Sequence, residues 1–151
     1  MVARRRTAAW RTRYPASAEI IDDGHGVKIV LPIVPPSANE LKKQYGRFIA
    51  RDIRRAVRNL LGELLLAATR GTPGLNPPTG RRRVQYVVYR GCALDEENIG
   101  AGTKPITDEL VEIGLLKDDS PAWCDMRPVV QVAVAASDQW RTEIVIETLG
   151  K

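Results

Sequence analysis

Histidine and cysteine are almost missing from this chain. With one histidine, His25, and two cysteines, Cys92 and Cys124, that form no CxxC pair, there are too few ligands for a structural zinc site and too few thiols for a disulfide scaffold. Such sparse thiols suit a reducing compartment, and the expectation is a cytoplasmic protein. No apolar run approaches the ~20 residues of a membrane span. The basic N-terminus is not followed by the apolar stretch of a signal peptide, so no membrane partner is expected.

Acid is missing from the first fourteen residues, where Arg4, Arg5, Arg6, Arg11 and Arg13 stand alone. Residues 41–58 carry Lys42, Lys43, Arg47, Arg51, Arg54, Arg55 and Arg58 against Asp52 alone. Residues 95–125 reverse the balance, with Asp95, Glu96, Glu97, Asp108, Glu109, Glu112, Asp118, Asp119 and Asp125 against Lys104 and Lys117. The formal net charge of +5 averages over this segregation. A positive surface attracts a polyanion, and gathered carboxylates can hold a divalent cation against it. That is the electrostatic plan of a metal-dependent nuclease, and it favours a nucleic-acid partner over an acidic protein.

At 151 residues and 44% hydrophobic content, one domain with a moderate core is expected. Residues 1–20 read as a basic flexible arm and 21–151 as the folded domain. The arm, with Trp10 and Tyr14 among its arginines, is either an unstructured tail or a segment that lies on phosphates and stacks an aromatic on a base. Gly26 to Val34 alternates as a strand, and Pro35-Pro36-Ser37-Ala38-Asn39 stops it, with Ser37 or Asn39 able to cap the next helix.

Over 40–69, Leu41, Tyr45, Ile49, Ile53, Val57, Leu61 and Leu65 recur every four residues, widened by Phe48, Leu60 and Leu64, which predicts a long helix. Lys43, Arg47, Arg51, Arg55 and Arg58 follow on its other face. They are either a solvated face or a phosphate-tracking row, and the lack of acidic partners along the helix favours the second. Arg81-Arg82-Arg83 leads into a strand over 84–89 and joins the same set. A short helix is expected over about 104–113, stopped by Gly114 and with Pro105 in its first turn. Strands over 128–136 and 140–147 are read as an antiparallel hairpin linked by Ser137-Asp138-Gln139. The expected fold is α+β: a small mixed four-stranded sheet packed with one long and one short helix, in the order β-α-β-α-β-β. Such a sheet leaves edges, and Val129 to Ala136 is too apolar for a strand with one wet face. Part of it is expected to face a partner, with Trp123 and Trp140 either on that surface or in the core.

Asp95 and Glu97 point the same way if their segment is extended. Asp118 and Asp119 lie beyond the short helix, so the chain must fold back, or a second subunit must supply the pair, to gather these acids around one point. Gathered, they are hard oxygen ligands suited to Mg²⁺ or Mn²⁺. Otherwise they are loop and capping acids, since Asp118-Asp119-Ser120-Pro121 is also good turn chemistry. Lys104 is either a surface charge or a group that neutralises a phosphate beside the carboxylates.

The order of these pieces resembles the RusA-type Holliday-junction resolvases. Pro35-Pro36-Ser37-Ala38-Asn39 is similar to that family's PPS-x-N segment, and Asp95-Glu96-Glu97-Asn98 to its D-x-D-N motif. Lys104 to Leu110, through Gly114 to Asp118-Asp119-Ser120, is similar to its K-x-x-x-D-x-L…G…D-D-S run. The resemblance covers about Val27 to Glu147. It implies catalytic roles for Asp95, Glu97, Lys104 and Asp119 and metal ligation by Asp95, Glu97, Asp118 and Asp119. It also implies a homodimer, bacterial or phage-encoded, that resolves four-way DNA junctions with Mg²⁺ in recombination and repair. Two departures are visible: the second acid is Glu97 rather than aspartate, and Ile99 to Thr103 is about three residues longer than the usual spacing. A non-catalytic junction or nucleic-acid binding protein is the alternative.

Overall fold

A parallel strand pair needs a long crossover, and this chain makes one from a helix. The computed structural model describes residues 10–21, 25–37, 41–42, 46–68 and 80–149. Among them one sheet contains β1 (Ser17–Ile21), β2 (Gly26–Leu31), β3 (Arg82–Arg90), β4 (Cys124–Met126), β5 (Val130–Ala133) and β6 (Arg141–Thr148). The helices are α1 (Gly46–Ala68) and α2 (Glu96–Glu112). The strand order is β1-β2-β6-β3-β4, with β5 also beside β3. β3 is antiparallel to β6 and parallel to β4 and β5, so α2 is the crossover. The class is the expected mixed α+β domain, with six strands rather than four.

Alternation builds the core. Val27, Ile29 and Leu31 of β2, Val84, Tyr86 and Val88 of β3, and Ile144 and Ile146 of β6 are buried on one face. Ile53, Val57 and Leu61 of α1 and Ile106 and Leu110 of α2 belong to the same buried set. Each such side chain stabilises by about 1.5–3 kcal/mol. Of the stripe predicted for the long helix, Ile53, Val57 and Leu61 are buried and Ile49, Leu60 and Leu64 are partly buried against the core, while Phe48 is 39% exposed. Tyr45, Lys43, Asn39 and the Leu65 side chain lie outside the described residues, as do residues 1–9 of the arm. Leu41 N–H does donate to the Ser37 carbonyl at 3.2 Å.

Part of the expected arm belongs to the fold. Trp10 is a core residue at 9% exposure, and its carbonyl accepts from Val34 N–H at 2.7 Å. Ser17–Ile21 pairs antiparallel with β2 as an edge strand.

Two expectations are corrected. The second helix does not begin near Lys104. It begins at Glu96 with Asp95 as N-cap, and Pro105 lies inside it, so Ile99 to Thr103 is helical rather than a longer loop. An interior proline costs about 3 kcal/mol. A carboxylate cap returns about 1 kcal/mol, and burial of Ile99, Ile106 and Leu110 outweighs the remainder. Nor do the last two strands form a hairpin: β3 lies between β5 and β6, and Ser137–Gln139 is a 3₁₀ turn in the connection. β4 and β5 are one parallel run interrupted around Pro128, which has no N–H for the ladder. Arg82 faces Cys124 but Val87 faces Val130, so the register slips by one residue there.

Gly114 ends α2 as expected. It has φ +86°, its N–H reaches the Val111 carbonyl, and Leu115 N–H reaches that of Leu110, a Schellman closure. Gly114→Ala is expected to cost at least about 1 kcal/mol by forcing a Cβ into left-handed backbone, lowering Tm by ~2–4 °C. Calorimetry checks this, and an unchanged Tm rules it out.

Candidate functional site

Asp95 stands just past β3, on a loop that two side chains hold in place. The Gln131 amide makes a two-point clamp on Leu94, accepting from its N–H at 2.9 Å and donating to its carbonyl at 2.7 Å. Asp95 Oδ1 then accepts from Asn98 N–H at 2.9 Å as the α2 N-cap. Glu96 and Glu97 occupy the first turn, where the helix dipole favours negative charge. Because the segment is helical from Glu96 onward, Asp95 and Glu97 do not share a side as they would in an extended chain. The Pro35-Pro36 stretch braces this half of α2: the Arg90 guanidinium donates to the Pro35 carbonyl at 3.0 Å. Gly102 lets the helix approach closely, since a Cβ there would collide with the Pro36 carbonyl oxygen.

Lys104 lies two and a half turns further along α2. Its ammonium donates to Asp119 Oδ2 at 2.6 Å and to Asp108 Oδ1 at 2.9 Å. The loop after α2 therefore does fold back, but onto Lys104 rather than onto Asp95. Nine helical residues at ~1.5 Å each put Lys104 about 13 Å along the axis from Asp95. Asp118 is turned onto its own backbone, accepting from Asp119 N–H at 2.8 Å, as the turn chemistry of this stretch allows.

Hydrogen bonding and attraction from Lys104 lower the Asp119 pKa, and the same contact, with a smaller one to Asp108, raises that of Lys104. A depressed carboxyl contributes stability that is present above its ordinary 3.8 and lost as pH falls through the lowered value. A raised ammonium contributes stability that is present below its ordinary 10.5 and lost as pH rises through the elevated value. The pair is therefore fully ionised between those limits. Both side chains are more than a third exposed, so the pair adds little to stability.

Among the described residues no three His, Cys, Asp or Glu side chains gather as a metal-holding group. Asp95, Glu97, Asp118 and Asp119 are all described, and in this conformation of one chain they do not fit a shared Mg²⁺ or Mn²⁺ ion.

The basic residues divide. Arg47, Arg51, Arg55 and Arg58 are exposed on α1. Arg47 and Arg51 hold their guanidiniums 5.0 and 5.1 Å from the centre of the Phe48 ring. Arg81 is exposed, and Arg83 pairs with Asp125 at 3.0 Å. Arg82 points inward: it is 5% exposed, donates to the Leu115 carbonyl at 2.7 Å, and burial lowers its pKa. Arg82 is therefore withdrawn from the phosphate-contacting set. Three residues with contacts near these groups escape the sequence reading: Gln131 clamps the Leu94 backbone, and Arg54 pairs with the buried Glu109 at 3.3 Å. Arg54 sits one turn before Arg58 on the same helix, which is a readable signal. Nothing in the sequence marks Gln131 as a clamp or Glu109 as buried.

No protein-family model matches this chain, and no curated protein matches it either. No helix among the described residues is long and apolar enough to cross a membrane. The Asp119 carboxyl is expected to titrate below 3.8, and Lys104→Ala to return it toward that value. A carbon-detected NMR titration reads both, and a wild-type midpoint at 3.8 or above removes the pair.

Proposed function

We propose that this protein is a structure-selective DNA endonuclease of the junction-resolving kind, hydrolysing phosphodiester bonds in four-way DNA. The observation that carries the reading is the Lys104–Asp119 contact at 2.6 Å. It closes the two ends of the segment that resembles the K-x-x-x-D-x-L…G…D-D-S run of RusA-type resolvases, in a chain that also carries an arginine-rich helix. Lys104 has three N–H donors, two of them used by Asp108 and Asp119, and the third is open to a phosphate oxygen. Held between two carboxylates, the ammonium stays charged and fixed, as a group must to stabilise charge on a reacting phosphate without reorganising. Exposed arginines on α1 and Arg81 supply the attraction for a branched polyanion. A requirement for Mg²⁺ or Mn²⁺ belongs to this reading. One observation favours the alternative, a junction binder that does not cut: the absence of a three-carboxylate group among the described residues.

Incubating a synthetic four-way junction with and without Mg²⁺ separates the two. Paired symmetric nicks are the expected result, and a shifted complex that yields no product in either buffer sinks the enzyme reading. Asp119→Asn should cut on the order of 10²-fold more slowly while still binding the junction, as loss of the carboxylate that holds the charge-stabilising Lys104 ammonium requires. Wild-type rates in that variant remove Asp119 from the site.

Two symmetric nicks need two sites, so the active unit in this reading is a homodimer related by a two-fold axis. The outer edge of β4 and β5 supports it, with Met126 38% and Val130 46% exposed along a strand edge that has no partner among the described residues. Trp140 and Trp123 are only half-buried in the single chain. Sedimentation at concentrations where junctions are cut should give twice the 16.7 kDa chain mass, and a monomer there defeats the assembly.

A further inference from the structure

Five arginines crowd one cleft between α1 and α2. Arg47, Arg51, Arg54, Arg55 and Arg58 line about 420 Å³ together with Ala50 and a single acid, Glu109. Glu109 is completely buried. Its Oε1 accepts from Arg54 Nε at 3.3 Å and from Arg58 Nη2 at 2.9 Å, and its Oε2 accepts from Arg58 Nε at 3.3 Å. Both arginine side chains nonetheless remain substantially exposed, with Arg54 at 41% and Arg58 at 59%.

This contact does more than join two helices. Glu109 engages the Nε side of each arginine, and among the described residues Nη1 of both, and Nη2 of Arg54, are left for another acceptor. A guanidinium held from behind is a planar fork whose free edge is set in advance, the geometry that suits a phosphate. Arg47 and Arg51 are restrained differently, by the ring of Phe48. Four of the five arginines are thus tethered in a cleft whose lining carries a formal excess of positive charge. From Arg47 to Arg58 the row runs about 16 Å at ~1.5 Å per residue. Phosphates along one strand of a duplex recur every ~3.4 Å of axis, so the row matches several consecutive phosphates rather than one small anion.

We propose that this cleft is a seat for the phosphate backbone of a DNA strand, with Arg54 as an additional contact and Glu109 as the positioning residue that orients Arg54 and Arg58. The proposal rests on DNA being the ligand and does not depend on cleavage.

The sign of one substitution separates positioning from net charge. Glu109→Gln removes a negative charge, so a purely electrostatic surface would bind DNA more tightly. If Glu109 positions the guanidiniums, binding weakens despite the added positive charge. Fluorescence anisotropy with a plain duplex and with a four-way junction, in 50 to 200 mM salt, reads this. The expected loss for Glu109→Gln is on the order of fivefold, the net scale of one ordinary hydrogen bond. The double variant Arg54→Lys/Arg58→Lys keeps both charges and loses the forks, and should weaken binding by about tenfold. Arg127→Lys, outside the cleft, should bind as wild type.

Equal or tighter binding by folded Glu109→Gln overturns the positioning role. Wild-type affinity in the double lysine variant overturns the seat, and that variant decides the question if Glu109→Gln does not fold. Cleavage of a junction in Mg²⁺, measured in the same preparations, keeps the two readings apart. A wild type that never cuts, with variants that bind weakly, sinks the nuclease and supports the seat. Variants that bind and cut as wild type do the reverse.

Discussion

β3 can take a parallel partner on its outer edge only after the chain has travelled back along the sheet, because parallel strands cannot be joined by a tight turn. That return is α2, and its consequences reach every part of the candidate site. The chain leaves β3 after Arg90 and caps α2 with Asp95. It re-enters beside the start of β3, where Cys124 faces Arg82. Residues just after β3 and residues just before β4 therefore belong to opposite ends of that strand. Asp95 is of the first kind and Asp119 of the second. Their separation is a product of topology and not of a rotamer choice, so a side-chain adjustment alone does not bring them together.

What topology permits is contact between Asp119 and the middle of α2, and Lys104 occupies that place. The two ends of the Lys104–Ser120 segment meet through this lysine, while the Asp95–Asn98 segment stays apart. Asp95 and Asp118 meanwhile satisfy backbone N–H groups, one at a helix N-terminus and one in a turn. Two of the four acids thus have local structural employment that explains their presence without a metal. Glu97 stands in the first turn of α2 and Asp119 pairs with Lys104, so the proposed chemistry rests on Asp119 and its lysine.

Legibility in the sequence tracked the range of the interactions. Gly114 was readable because a left-handed C-terminal closure is decided within six residues, and the α1 stripe because a period of four over more than six turns at ~3.6 residues each admits one reading. The strands at 26–34 and 84–89 declared themselves by alternation. β1 did not, because Ser17–Ile21 comes after an arginine-rich stretch whose composition suggests a tail, and its partner β2 is what makes it a strand. β4 is three residues long and exists only because β3 offers an edge. Pro105 misplaced the start of α2, since a local rule about proline was outweighed by burial of Ile99, Ile106 and Leu110, which no local rule contains. For the site, the order of Asp95, Glu97, Lys104 and Asp119 was legible, but which of them touch was not.

Glu109 shows why the charge pattern alone misleads. In sequence it is one of nine acids between 95 and 125, adjacent to Asp108 and indistinguishable from a solvated charge. Asp108 remains partly exposed and meets Lys104, while one residue further around α2 its neighbour is taken wholly out of water. A buried ion pair is roughly break-even against an apolar pair of the same size. The seating of α1 is already provided by Ile53, Val57 and Leu61, each fully buried. Stability therefore gives little reason to prefer a carboxylate at this position over leucine. What a carboxylate does that leucine cannot is accept from two guanidiniums at once and so fix their direction, and its charge also raises the Arg58 pKa. An arginine row without Glu109 would be a diffuse positive field. With it, part of that field acquires a geometry, and geometry is what distinguishes a binding cleft from a merely basic surface.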